Sequence, residues 1–154
     1  MDVVRAGNGR AVEKTTGYLL AKVCRAHRGN VGALLSGVGL HVGQEMVLFE
    51  LWKEDGLKGG ELADRLGVEP PTVTRMIRRM ESCGFVERRP DPADARSFRV
   101  YLTEKGRALE GPIARIWEEV EEKTLQGISP EETLVLRRLL AQIRKNLGSA
   151  GAGC

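Results

Sequence analysis

Aromatic side chains are scarce in this chain: three Phe, two Tyr and two Trp among 154 residues, 5% of the total. So few rings argue against a stacking platform for single-stranded nucleic acid. The three cysteines, Cys24, Cys83 and Cys154, are far apart and odd in number, so they give no disulfide framework. His27 and His41 are the only histidines. Cys24 and His27 stand three residues apart on one helix face, a geometry a metal could use. A structural zinc needs four ligands, however, and no further Cys/His pair follows. No metal and no cofactor are expected, and a packed or pocket-lining role suits the histidines better. No apolar run approaches the ~20 residues that span a bilayer. The opening residues are polar and broken by Gly7 and Gly9, unlike a signal peptide. A cytoplasmic location with no membrane partner is the expectation. Enzymatic signatures are also missing: no phosphate-binding Walker loop, no Gly-x-Ser-x-Gly, no His-Glu-x-x-His. Glu118, Glu119, Glu121 and Glu122 read as a solvated helix face, not as a general acid–base pair.

What the chain does have is charge in an uneven distribution. The net charge is only +3. Between Pro71 and Arg107, however, Arg75, Arg78, Arg79, Arg88, Arg89, Arg96, Arg99, Lys105 and Arg107 outnumber Glu81, Glu87, Asp91, Asp94 and Glu104. Beyond Ala108 the balance reverses, with Glu110, Glu118, Glu119, Glu121, Glu122, Glu131 and Glu132 against Arg115 and Lys123. A basic segment followed by an acidic one is expected where one end of a protein faces phosphate.

The basic segment has internal structure. Leu62, Ala63 and Leu66 form an apolar stripe, and Gly67 follows where a left-handed helix stop belongs. Pro70 and Pro71 suit the first turn of a second helix. Val73, Ile77 and Met80 mark its buried face, leaving Thr72, Thr74, Arg75, Arg78 and Arg79 largely on the others. Guanidiniums and hydroxyls on an exposed helix face match the donor pattern that reads a DNA major groove. A solvated basic face would look the same in isolation. Gly84 ends the helix. Phe85 to Arg89 reads as a strand, Pro90-Asp91-Pro92 breaks it, and Phe98, Val100 and Leu102 alternate with polar neighbours in a second strand. A charged loop holding Asp91, Asp94 and Arg96 is expected between the strands. The pattern is a helix-turn-helix followed by a β-ribbon wing.

These residues carry a resemblance. Leu62-Ala63, Leu66-Gly67-Val68, Thr72 to Arg75, Gly84 to Arg88, Asp91-Pro92, Asp94-Ala95-Arg96 and Val100 to Gly106 together resemble the MarR family of bacterial winged-helix transcription regulators. The wing stretch is the most specific piece. The resemblance implies a homodimer on double-stranded DNA, with a helix over Pro71–Cys83 in the major groove and the wing in the neighbouring minor groove. It also implies that Asp94 holds Arg96 in a fixed pose. Family members commonly answer to small aromatic or phenolic effectors in a crevice between the dimer helices and the DNA-binding lobe. Here His27, Val31, Trp52 and Trp117 are the residues expected to line it. One branch of the family senses peroxide through a cysteine near the start of the first helix. Gly17 falls near that position, while Cys24 sits mid-helix in an apolar seam where a thiol is usually inert.

The flanks complete the expected architecture: mainly α with a small β-wing. A flexible terminus covers residues 1–10 and a single domain covers 11–147, with dimerisation helices at 11–38 and 104–147 around a winged helix-turn-helix at 43–103. A disordered tail follows at 148–154. Leu20, Cys24, His27, Val31, Leu34 and Val38 step by four and three, a heptad-like seam. Val47, Leu48, Leu51 and Trp52 mark one face of a helix from Gln44 to Asp55. Thr103 is a good N-cap for a long helix to about Gln126, which Pro112 bends or restarts. Ser129-Pro130-Glu131-Glu132 is a capping box, and Leu136, Leu139, Leu140, Ile143 and Leu147 line the last helix. Cys83 is expected to pack against the wing. The terminal helices carry more apolar surface than one lobe can cover, which favours a homodimer. The expected function is a DNA-binding transcriptional regulator, with a repressor released by ligand as the leading form. A regulator without a ligand, and a winged-helix module that binds protein instead of DNA, stay open at this point.

Overall fold

The N-terminal helical stretch divides at Lys14-Thr15. In this computed structural model, which describes residues 8–148, helix α1 covers Asn8–Glu13 and α2 covers Thr16–Leu35. Thr15 lies in extended conformation between them, and its hydroxyl accepts the Tyr18 N–H, so an N-cap interrupts the helix expected over 11–38. The helix also begins at Asn8, inside the stretch expected to be a flexible terminus. Residues 1–7 and 149–154, including Cys154 and most of the expected tail, lie outside the described residues. A 3₁₀ turn at Ser36–Val38 closes α2.

Helix α3 covers Gln44–Lys53 and runs into a two-residue strand, β1, at Leu57–Lys58. That strand is too short to announce itself by periodicity. Helix α4 covers Gly59–Leu66 and α5 covers Pro70–Ser82. Gly67 adopts φ +64° between them, and the Val68 N–H reaches back to the Ala63 carbonyl at 3.1 Å. The turn thus satisfies carbonyls that the end of α4 leaves open. Strands β2, Val86–Asp91, and β3, Asp94–Leu102, form a hairpin, and β1 pairs with the far side of β3. The sheet order is β1-β3-β2, antiparallel throughout.

After the sheet, Thr103 caps α6, Glu104–Ala108, by accepting the Gly106 N–H at 3.1 Å. The helix restarts at Leu109 as α7, Glu110–Thr124, with Pro112 in its first turn. Helix α8, Pro130–Leu147, opens on the Ser129/Glu132 capping box.

The core sits in the lobe formed by α3, α4, α5 and the sheet. Leu48, Leu51, Leu62, Val73, Ile77, Met80, Phe85 and Val100 are all buried there. Val31 and Leu35 of α2 and Ile113 and Val120 of α7 extend that core along the packed α2–α7 pair. Helix α8 contributes no buried residue, and Leu134, Val135, Leu139, Leu140 and Leu147 on it are exposed. Val12, Leu19 and Val23 near the N-terminus are exposed as well. Among the described residues, no helix is long and apolar enough to cross a membrane.

Candidate nucleic-acid interface and adjoining cavity

The amphipathic pattern of α5 sorts its residues as the spacing predicts. Val73, Ile77 and Met80 are buried, and Arg75, Arg78 and Arg79 are exposed. Thr74 is half-buried and its hydroxyl donates to the Pro70 carbonyl at 3.0 Å. Thr72, also half-buried, borders a cavity as well as the helix face.

The wing differs from the expected shape. The loop over Asp91 to Arg96 contracts to a tip at Pro92-Ala93, and both Asp94 and Arg96 stand on β3. The cause is Asp91. It is 3% exposed, and its Oδ1 accepts the Ala93 N–H at 3.0 Å, which closes the tip. Lys58 of β1 lies 3.3 Å from Oδ2, and Arg99 of β3 lies 3.7 Å from Oδ1. The Ala93 N–H first, then Lys58 and Arg99, hold the Asp91 carboxyl below its ordinary range. The charged residue expected in a solvated loop is therefore the anchor of the hairpin.

The other wing arginines are similarly engaged. Arg88 gives Nε, Nη2 and its backbone N–H to Glu81 at the end of α5. Arg89 stacks over the Tyr101 ring at 4.2 Å and contacts Glu87. Arg99 donates to the Gly56 carbonyl at 2.9 Å. Arg96 is different. Its backbone N–H donates to Asp94 Oδ1 at 2.9 Å, but its guanidinium is exposed. Asp94 thus fixes the Arg96 main chain, not its side chain. Among the described residues, the guanidiniums of Arg75, Arg78, Arg79 and Arg96 form no hydrogen bond or ion pair. These four cations lie on α5 and the wing, and the Glu81–Arg88 pair braces the two parts together.

A cavity of about 440 Å³ opens behind α5. Its wall includes His27, Arg28 and Val31 of α2, Glu45 and Met46 of α3, Leu66 and Val68 at the α4–α5 corner, Thr72 and Met76 of α5, and Trp117 of α7. Val42 and Gly43 complete it. The His27 and Trp117 rings meet at 5.5 Å with a tilt of 57°. His27, Val31 and Trp117 are therefore brought together as expected, but Trp52 is not. Phe49 stands between the two tryptophans, contacting Trp52 at 5.7 Å and Trp117 at 5.6 Å. Trp52 instead donates its indole N–H to the Gly106 carbonyl at 3.3 Å. His41 is exposed and outside the cavity, and Cys83 is exposed instead of packed on the wing. Cys24 is half-buried.

The sequence reading missed Glu45, Arg28 and Met76. Glu45 is 3% exposed, its Oε2 accepts the Gly43 N–H at 2.7 Å, and burial raises its carboxyl above the ordinary range. In sequence, an acid in the first turn of a helix reads only as a complement to the helix dipole.

Two helices joined by a left-handed glycine turn, followed by a braced β-hairpin, define a winged helix-turn-helix protein. Comparison with known proteins agrees. The MarR family model matches residues 40–98. The HTH-type transcriptional regulator TtmR of Methylorubrum extorquens is 35% identical over 123 residues, 80% of this chain. The chain spans 60% of that relative's length. The uncharacterized HTH-type transcriptional regulator YybA of Bacillus subtilis is 30% identical over 105 residues, 68% of this chain and 70% of that protein. The crystal structure of a mutant MarR from E. coli complexed with operator DNA superposes with a TM-score of 0.76 at 26% identity, covering 82% of this chain and 91% of that one. The chain belongs to the MarR family of transcriptional regulators.

Proposed function

We propose that this protein is a cytoplasmic, homodimeric repressor that binds a pseudo-palindromic duplex and is released by a small aromatic effector. The observation that carries the DNA-binding part is the set of uncommitted guanidiniums, Arg75, Arg78, Arg79 and Arg96, on two braced projections of one lobe. Helix α5 would enter the major groove, where Arg reads guanine O6 and N7, and Thr72 and Thr74 meet a methyl group or a phosphate. Arg96 would enter the neighbouring minor groove, where a narrow A·T-rich tract concentrates negative potential. Asp94 orients it through the main chain. The MarR–operator complex among the structural neighbours supports the same partner class.

The dimer is supported by the exposed apolar residues of α8 and of the N-terminal helices, which a second copy would cover. The effector reading is supported by the cavity itself. It touches α5 through Thr72 and Met76 and the α2–α7 pair through His27 and Trp117, so an occupant bears on the position of α5 relative to the dimer helices.

Sequencing duplexes captured from a genomic pool near physiological salt, then titrating salt on the best of them, tests the reading. Affinity should fall with a log–log slope of ~0.9 per phosphate contact. A salt-independent curve, or no captured duplex at all, would leave a protein-binding winged helix as the better account.

A further inference from the structure

We propose that the cavity behind α5 selects a flat aromatic ligand bearing a cationic, N–H-donating group, an amidine or a protonated amine, and that the Glu45 carboxylate holds that group. The inference rests on reading this cavity as the effector site.

Most of the wall is apolar, with Val31, Val42, Met46, Val68 and Met76, and the His27–Trp117 pair offers ring surface. Its volume of about 440 Å³ suits a small ring compound. Glu45 is the one acid in this wall. It is 3% exposed, so its charge is removed from water. Its carboxylate accepts the Gly43 N–H at 2.7 Å, which satisfies a backbone donor at the start of α3. A carboxylate offers about four acceptor sites, and the Gly43 N–H occupies one of them, on Oε2.

Burial is the dominant influence on Glu45, and it raises the carboxyl pKa despite the opposing pull of the Glu45 and Gly43 backbone N–H groups, Arg28 and His27. Arg28 is exposed and solvated, and it makes no ion pair with Glu45 among the described residues. An amidinium entering the cavity would supply charge-assisted N–H bonds where water has been lost, and such bonds are roughly twice as strong as neutral ones. An aromatic carboxylate of the same shape would bring a second anion against a buried one.

Benzamidine, benzamide and benzoate share one outline and differ in charge. NMR titration of the full-length protein with each reads both affinity and the residues perturbed. Benzamidine should bind about tenfold or more tighter than benzoate, with benzamide between, and the shifts should map to the cavity wall. Glu45→Gln keeps a carbonyl oxygen to accept the Gly43 N–H, and it should level the three probes to within about twofold. The wild-type ranking needs no substitution, so it decides the matter even where the variant folds poorly. Benzoate or benzamide binding as well as benzamidine, or a cation preference that survives Glu45→Gln, overturns the role of Glu45 and leaves the effector cavity standing. Binding of none of the three at millimolar concentration, or shifts confined elsewhere, removes the effector reading together with this one.

Discussion

Glu81 and Arg88 join the end of α5 to the start of the wing through three hydrogen bonds, from the Arg88 backbone N–H at 3.0 Å, Nε at 3.1 Å and Nη2 at 3.2 Å. The pair is partly exposed, so its worth to stability is small, ~0–1 kcal/mol. Its worth to geometry is larger, because it ties the wing to the end of α5. Glu81→Ala should therefore move the melting temperature little but weaken operator binding clearly. Equal losses in Glu81→Ala and in an exposed control such as Glu104→Ala would show that the brace has no functional share.

Acid should destabilise the fold through two carboxylates. Arg88 first, and Arg78 more weakly, lower Glu81. The Ala93 N–H, then Lys58 and Arg99, lower Asp91. A carboxyl whose folded pKa lies below its unfolded value of about 4 stabilises the fold above that value, and the contribution is lost as pH falls through the folded pKa. Glu45 has the opposite sign. Its raised carboxyl costs nothing at low pH, and the cost grows as pH rises through its folded value. Urea midpoints measured from pH 7 down to pH 3 should therefore drop less for Asp91→Asn than for the wild type. At neutral pH, Glu45→Gln should be at least as stable as the wild type. An unchanged acid limb in Asp91→Asn would remove that residue from the account.

Much of the fold was legible because the residues that carry it act locally. Gly67, Thr103 and the Ser129/Glu132 box announce their turns and caps by identity and spacing alone. The errors fell where distant residues decide. Asp91 looked like a loop acid because nothing in the sequence shows Lys58 lying beside it across the sheet, and β1 is only two residues long. With Asp91 buried, the tip closes early, and Arg96 moves from loop to strand. Trp52 looked like a neighbour of Trp117, but only the structure shows Phe49 between them. Glu45 showed only a helix-dipole signal, because the cavity wall it shares with residues of α2, α5 and α7 is assembled from distant parts of the chain.

Gly106 belongs to the motif that resembles the MarR family, but its reason is visible only in three dimensions. A Cβ there would lie 2.1 Å from the Phe85 carbonyl oxygen, and that backbone is held by the Thr103 N–H at 3.2 Å. Gly106→Ala should cost ~1–3 kcal/mol or more as the turn into α6 shifts. Urea unfolding of the variant with a wild-type midpoint would mean that the backbone yields without penalty.

The exposed leucines of α8 predict a partner. Leu139 and Leu140 are each 43% exposed, and Leu134 is 70% exposed. Covering a leucine fully is worth about 1.5–3 kcal/mol relative to leaving it in water. Sedimentation should show a dimer at micromolar concentration, and Leu139→Glu should shift it toward monomer with the helical content kept. A wild-type protein that sediments as a stable folded monomer would end the homodimer reading.

Arg96 is the sharpest test of the wing. It stands on β3 close to the tip, where its guanidinium has no partner among the described residues and no core contact requires it. Asp94 holds its backbone N–H at 2.9 Å, so the two residues have separable roles. Arg96→Ala removes the cation and leaves the turn. It should weaken operator binding at least tenfold, ~1.4 kcal/mol, with the melting temperature unchanged. Arg96→Lys should recover only part of this, because an ammonium keeps the charge but loses the planar donor fork. Asp94→Ala should do part of the damage of Arg96→Ala by loosening the strand that aims the side chain. Asp94→Asn should do less, since its amide oxygen still accepts the Arg96 N–H. If Arg96→Ala binds operator as the wild type does, the wing does not reach DNA, and the guanidiniums of α5 must account for recognition without it.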